Sequence, residues 1–132
     1  MTNLKIAGLL VILTVFVSCK KSGPDFALLQ TEKEFDFGTI TLKDTVKHNF
    51  KIKNISDLPL KISEIGTSCG CTGAIVSDSI IEKNEFAEIE VQFIPKKEQT
   101  GKITNSIVIE ANTNPPFTTL YLNGVVSDND TE

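Results

Sequence analysis

Apolar residues in this chain recur with a period of two, in one segment after another. Val46, His48, Phe50 and Ile52 alternate with Lys47, Asn49, Lys51 and Lys53. Successive side chains of an extended strand point to opposite faces, so this is the pattern of a strand with one face buried and one face wet. The alternation returns in Ala87, Ile89, Val91 and Phe93 against Glu88, Glu90 and Gln92, in Ile103, Ile107, Ile109 and Ala111, and in Leu120 and Leu122 against Tyr121 and Asn123. Shorter strands are expected at 26–31, 58–65, 74–76 and 80–82. Between them, 54–57, Lys83-Asn84, 95–101 and 112–116 hold residues that favour turns or cannot extend a ladder. No window has helical periodicity. Short strands at this spacing predict an all-β chain, a single Ig-like β-sandwich over residues 26–126. The chain has no tryptophan, so the Cys…Trp…Cys core of antibody domains is excluded.

The first segment obeys a different rule. Residues 9–17 are apolar apart from Thr14, with Lys5 before them and Ser18-Cys19 after. A bilayer core needs about twenty apolar residues, so this run is too short to cross comfortably, but it has the size of a signal-peptide h-region. Phe16-Val17-Ser18-Cys19 resembles a bacterial lipobox, in which a small residue precedes a cysteine that becomes acylated and is exposed by cleavage. Residues 1–18 are therefore expected to be a lipoprotein signal peptide. Cys19 is the lipidation site, carrying fatty-acyl chains of the palmitate kind, and 19–25 are the lipidated cysteine and its tether. An ordinary signal peptide with a chance cysteine, or an uncleaved anchor, are the competing readings. The hydrophilic Lys20-Lys21-Ser22-Gly23-Pro24 that follows favours the lipobox. The expected location is the bacterial cell envelope, membrane-anchored through Cys19 and facing the periplasm. Residues 127–132 read as a polar, acidic tail.

Charge removes one class of partner. All thirteen basic residues are lysines and the net charge is −4. Without arginine or a basic tract, no nucleic-acid partner is expected. Glu82, Glu85, Glu88 and Glu90 cluster along one segment, but Glu88 and Glu90 alternate with apolar residues as a solvated strand face does. No calcium loop, phosphate loop or nucleophile elbow occurs.

Several segments carry a family resemblance. Phe35-Asp36-Phe37-Gly38-Thr39-Ile40, then Val46 with 48–54, then Leu58-Pro59-Leu60-Lys61-Ile62 and Ser68-Cys69-Gly70-Cys71-Thr72 resemble the bacterial family designated domain of unknown function 1573. Gly101 and Leu120-Tyr121-Leu122-Asn123-Gly124 fit its closing strands. The Cys-Gly-Cys-Thr segment is the most specific element. Lys43, Ser56-Asp57 and Asn84 depart from the family's usual turns and leave its strands intact. The resemblance implies an Ig-like sandwich similar to major sperm protein and cilium-associated domains, often exported or lipid-anchored. It implies no activity.

Chemical potential concentrates at Cys69-Gly70-Cys71. The chain has three cysteines; with Cys19 assigned to the anchor, these two remain. Residues two apart on an extended segment face one side, so both sulfurs can meet one soft metal. Cu(I) is the ion they would take, with His48 as a third ligand. Alternatively the two form a bridge across one residue, a small strained ring of the labile kind used in thiol exchange. A third reading is plain burial, where cysteine acts as a small hydrophobe. His48, the one histidine, reads first as a core or edge residue bonded to a backbone carbonyl. Two functions follow from these readings. One is a lipid-anchored binding or accessory module of the envelope, with a protein partner, no cofactor and no catalysis. The other is a Cu(I) or thiol-redox protein built on Cys69 and Cys71.

Overall fold

The computed structural model describes residues 22–128. Among them lie β1 (Leu29–Gln30), β2 (Glu34–Thr41), β3 (Val46–Asn54), β4 (Leu60–Thr67), β5 (Thr72–Val76), β6 (Ile80–Ile81), β7 (Phe86–Phe93), β8 (Gly101–Ala111) and β9 (Phe117–Ser127), and no helix. They form two sheets, one ordered β1-β3-β7-β5 and the other β2-β9-β8-β4-β6. The period-two residues become the facing layers of a sandwich. Phe50, Ile52, Ile89, Val91 and Phe93 are fully buried from the first sheet, and Leu60, Ile107, Ile109, Leu120 and Leu122 from the second. Each such side chain stabilises the fold by about 1.5–3 kcal/mol relative to exposure. The alternating lysines and glutamates of β3 and β7 stay in water.

Three expectations change. The segment 34–41 is a full strand, β2, although its alternation breaks at Gly38. That break is a β-bulge: Asp36 faces Asn123 and Thr39 faces Val125, so Phe37 and Gly38 together oppose Gly124. Gly38 takes φ 72°, a conformation glycine adopts without a Cβ penalty, and its N–H donates to Asp36 Oδ1 at 2.8 Å. The expected strand at 26–31 shrinks to β1, since only Leu29 and Gln30 pair with β3. Ser127, read as part of the tail, ends β9 opposite Thr41; residues 129–132 lie outside the described residues.

The turns between strands have definite anchors, including one at 41–44 that the sequence pattern does not predict. Asp44 accepts from Thr41 N at 2.7 Å and from Thr41 Oγ1 at 3.0 Å, and these bonds to the charged form, the backbone one foremost, hold its carboxyl below the usual aspartate range. Asn84 takes φ 63° in the β6–β7 turn, the left-handed region that asparagine tolerates best after glycine.

Candidate functional site

The loop between β4 and β5 carries the chain from one sheet to the other, and it is tied on both sides. Ser68 N donates to Ser106 O at 2.9 Å, and Ser106 N donates to Ser68 Oγ at 2.9 Å. Thr72 N closes a turn onto Cys69 O at 3.0 Å, while Ile94 N reaches Cys71 O at 3.0 Å. Thr67 Oγ1 spans the loop to Thr72 O at 3.0 Å. Within this frame Cys69 and Cys71 form a disulfide with their Cα atoms 5.1 Å apart. The two residues differ in burial: Cys71 is 8% exposed, whereas Cys69 is half-buried.

A third residue completes the site. Gln99, on the β7–β8 connection, donates from Nε2 to Cys71 Sγ at 3.1 Å and to Cys69 Sγ at 3.4 Å. Its orientation is set at the other end, where Oε1 accepts from Lys96 N at 2.9 Å and Gln99 N donates to Lys96 O at 2.8 Å. An amide held in this way presents its two N–H groups to the sulfurs and cannot accept from them. Cys71 N–H also points at Cys69 Sγ, at 3.1 Å. The bridge therefore sits among donors, an arrangement that favours negative charge on sulfur. As a brace it has little leverage: a loop this short restrains the unfolded chain by only about 1.5 kcal/mol, about half the value for a fifteen-residue loop.

His48 is not brought to this site. It lies on β3, which is separated from β5 by β7. Its ring stacks on Phe35 at 3.7 Å between centroids and meets Phe50 edge-on at 4.6 Å. Its Nε2 pairs with Glu32 Oε1 at 2.7 Å, so the partner is a carboxylate where a backbone carbonyl was expected. Among the described residues no group of three or more His, Cys, Asp or Glu side chains is placed to hold a metal. Cys19 lies outside the described residues. Glu88 and Glu90 are exposed, as their alternation requires, and Asn49 Nδ2 donates to Glu88 Oε2 at 3.2 Å.

The sandwich and its Cys-Gly-Cys corner fall within residues 28–126, which match the family model described as protein of unknown function (DUF1573). The chain belongs to the DUF1573 family. No curated protein matches it by sequence. Among solved structures, a protein of unknown function from Porphyromonas gingivalis W83 is similar, with a TM-score of 0.71 and 17% identity, covering 79% of this chain and 50% of that one. The ASH / PapD-like domain 7 of human CEP192 has a TM-score of 0.62 and 11% identity, covering 83% and 92%. The secreted serine protease VesC from Vibrio cholerae has a TM-score of 0.60 and 10% identity, covering 74% and 23%. This chain thus spans about half of the first of these structures and under a quarter of the protease. The likeness establishes the Ig-like sandwich.

The edges of the DUF1573 sandwich are unequal. β1 and β6 have two residues each, and β2 is broken by its bulge and carries Glu34 and Asp36. Short, bulged or charged edges discourage further pairing. β5 has none of these protections. Its five residues, Thr72–Val76, carry no charge, and among the described residues β7 flanks one side only. Ile75 points outward and is 72% exposed. Cys71 O and Ser77 N bond toward β7, so by the alternation of an antiparallel ladder Ala74 and Val76 turn their backbone groups toward the open edge. Beside it runs a cleft of about 210 Å³ between β5 and β4, lined by Ile62, Ile65, Ala74 and Val76 with Ser63 and Ser79.

Proposed function

We propose that this DUF1573 chain is a lipid-anchored binding module of the bacterial cell envelope, which takes a protein partner by accepting an extended strand along β5. The observation that carries this reading is the β5 edge: uncharged, paired on one side, and bordered by a cleft whose apolar lining suits the inward side chains of an added strand. Main-chain hydrogen bonds would supply affinity and the cleft would select alternate small apolar residues. Glu64 also lines that cleft, and Glu88 and Glu90 border Ile75 on the outer face, so a neutral or basic segment fits better than an acidic one.

The anchored location draws support from the start of the fold. Tether residues Ser22, Gly23, Pro24 and Asp25 line a groove of about 630 Å³ with Leu28, Ile55 and Leu58, and these three apolar side chains are between 39% and 48% exposed. Cys19 is three residues upstream of Ser22, a reach of at most about 10 Å. Asp25 and Asp57 also line the groove, so an acylated Cys19 would hold the three apolar side chains toward lipid with the two carboxylates at the headgroup level, and leave β5 to its partner.

Val76→Pro tests the docking reading. Proline deletes an N–H that faces the open edge, so the β5–β7 ladder is retained while strand addition is blocked. With a photo-crosslinker at position 75 of the full-length protein in its own cells, we expect adducts that map to one extended segment of an envelope protein. Val76→Pro should abolish them while circular dichroism stays native, with only the modest drop in thermal midpoint that follows from trimming a side chain packed on the core. Adducts that survive Val76→Pro, or that scatter over many proteins, would overturn docking at β5. Cys19→Ala tests the anchor separately: the protein should leave the membrane fraction, and continued partition of a correctly cleaved species would refute lipidation.

A further inference from the structure

The Cys69–Cys71 bridge combines features that a purely structural disulfide does not need. It spans one intervening residue, so it adds little to the loop, which backbone and threonine bonds already hold. Cys69 is the less buried of the two residues, half-buried where Cys71 is buried. A side-chain amide, fixed by Lys96 N, donates to both sulfurs. Small-ring and exposed disulfides are the labile ones, and exchange is faster when the leaving thiolate is stabilised.

We propose that Cys69–Cys71 is a thiol–disulfide exchange site for cysteine-bearing substrates, with Cys69 as the attacked sulfur and Gln99 as the donor that receives the departing Cys71 thiolate. A substrate thiolate forms a bond to Cys69 Sγ as the Cys69–Cys71 bond breaks, and the electron pair of that bond leaves on Cys71 Sγ, facing Gln99 Nε2. A second substrate thiolate then attacks the substrate sulfur of the mixed disulfide and expels Cys69. The substrate dithiol is oxidised by two electrons to a disulfide. Cys69 and Cys71 are reduced to thiols and take up the two protons the substrate has lost. This site goes beyond docking at β5 and does not require it: Cys69, Cys71 and Gln99 are not among the residues that line the β5 cleft.

The test uses the purified full-length protein, reduced glutathione and glutathione disulfide at pH 8, with thiols trapped by alkylation and read by mass. Millimolar reduced glutathione should open the bridge within minutes while circular dichroism stays native. In Cys71→Ser, glutathione disulfide should form a mixed disulfide on Cys69, and Cys71 in the Cys69→Ser protein should react at least about tenfold more slowly. Gln99→Glu keeps an acceptor for Lys96 N and replaces the donor with a carboxylate. It should slow opening by about tenfold or more, the effect of one lost hydrogen bond to a developing charge, without changing the thermal midpoint. A bridge that resists millimolar glutathione in the native fold, equal reactivity of the two sulfurs, or a wild-type rate in Gln99→Glu would each overturn the proposal.

Discussion

Asn54 shows how much a single side chain can carry in this fold. It closes β3 and is fully buried. Its Nδ2 donates to Leu58 O at 2.7 Å and to Ile81 O at 2.8 Å, and its Oδ1 accepts from Ser56 N at 2.9 Å and Ser56 Oγ at 2.7 Å. Asn54→Ala removes the side-chain partner of Ser56 N and Ile81 O in a buried place, although Ser56 Oγ and Leu58 O keep each other at 3.0 Å, so it should destabilise by about 2–4 kcal/mol. Urea unfolding should show a lower midpoint with an unchanged slope. In the sequence Asn54 is legible only as the opening of a turn, because asparagine favours turns generally. Its role as a buried hub depends on Ile81, twenty-seven residues away. His48 repeats the lesson. Its half-buried place follows from alternation, but its pairing with Glu32 and its stacking on Phe35 come from chain outside its own strand.

At the scale of an element, β2 and β9 are matched through one bulge and one glycine. The Phe37 ring lies where a Cβ on Gly124 would have to go. Gly124→Ala therefore forces the ring out of its seat against Phe93, 5.7 Å between centroids, and should destabilise by about 1–3 kcal/mol, as overpacking does. Phe37→Leu should destabilise less in the Gly124→Ala background than in the wild type, and a double-mutant cycle by urea denaturation measures the difference. The alternation test recovers β3, β7, β8 and β9 because nothing interrupts their period. It passes over β2 because the bulge at Gly38 shifts the period midway, and an interrupted five- or six-residue pattern looks like a loop. On β8 the buried row includes Asn105, which a search for apolar residues does not select.

For the whole molecule, stability resides in the two facing layers and hardly at all in the bridge. Reduction of Cys69–Cys71 should lower unfolding free energy by about 1.5 kcal/mol, the entropy term for so short a loop. The protein should remain folded in urea titrations with and without reductant. A loss of several kcal/mol would show that the bridge braces the sandwich. A scaffold indifferent to the state of its disulfide is also what an exchange site requires, since the fold must survive both states. From its own sequence this chain determines β3, β7, β8 and β9, their inward faces and several of its turns, because period-two alternation and turn chemistry are properties of the local backbone. It also singles out the Cys-Gly-Cys pair, by its spacing and by the family resemblance its segment carries. Tertiary structure decides which strands pair, which edge is left open, and that Gln99, twenty-eight residues beyond Cys71, reaches the sulfurs while His48 does not. Those outcomes depend on loop closure and on packing between distant segments, and no local pattern encodes them.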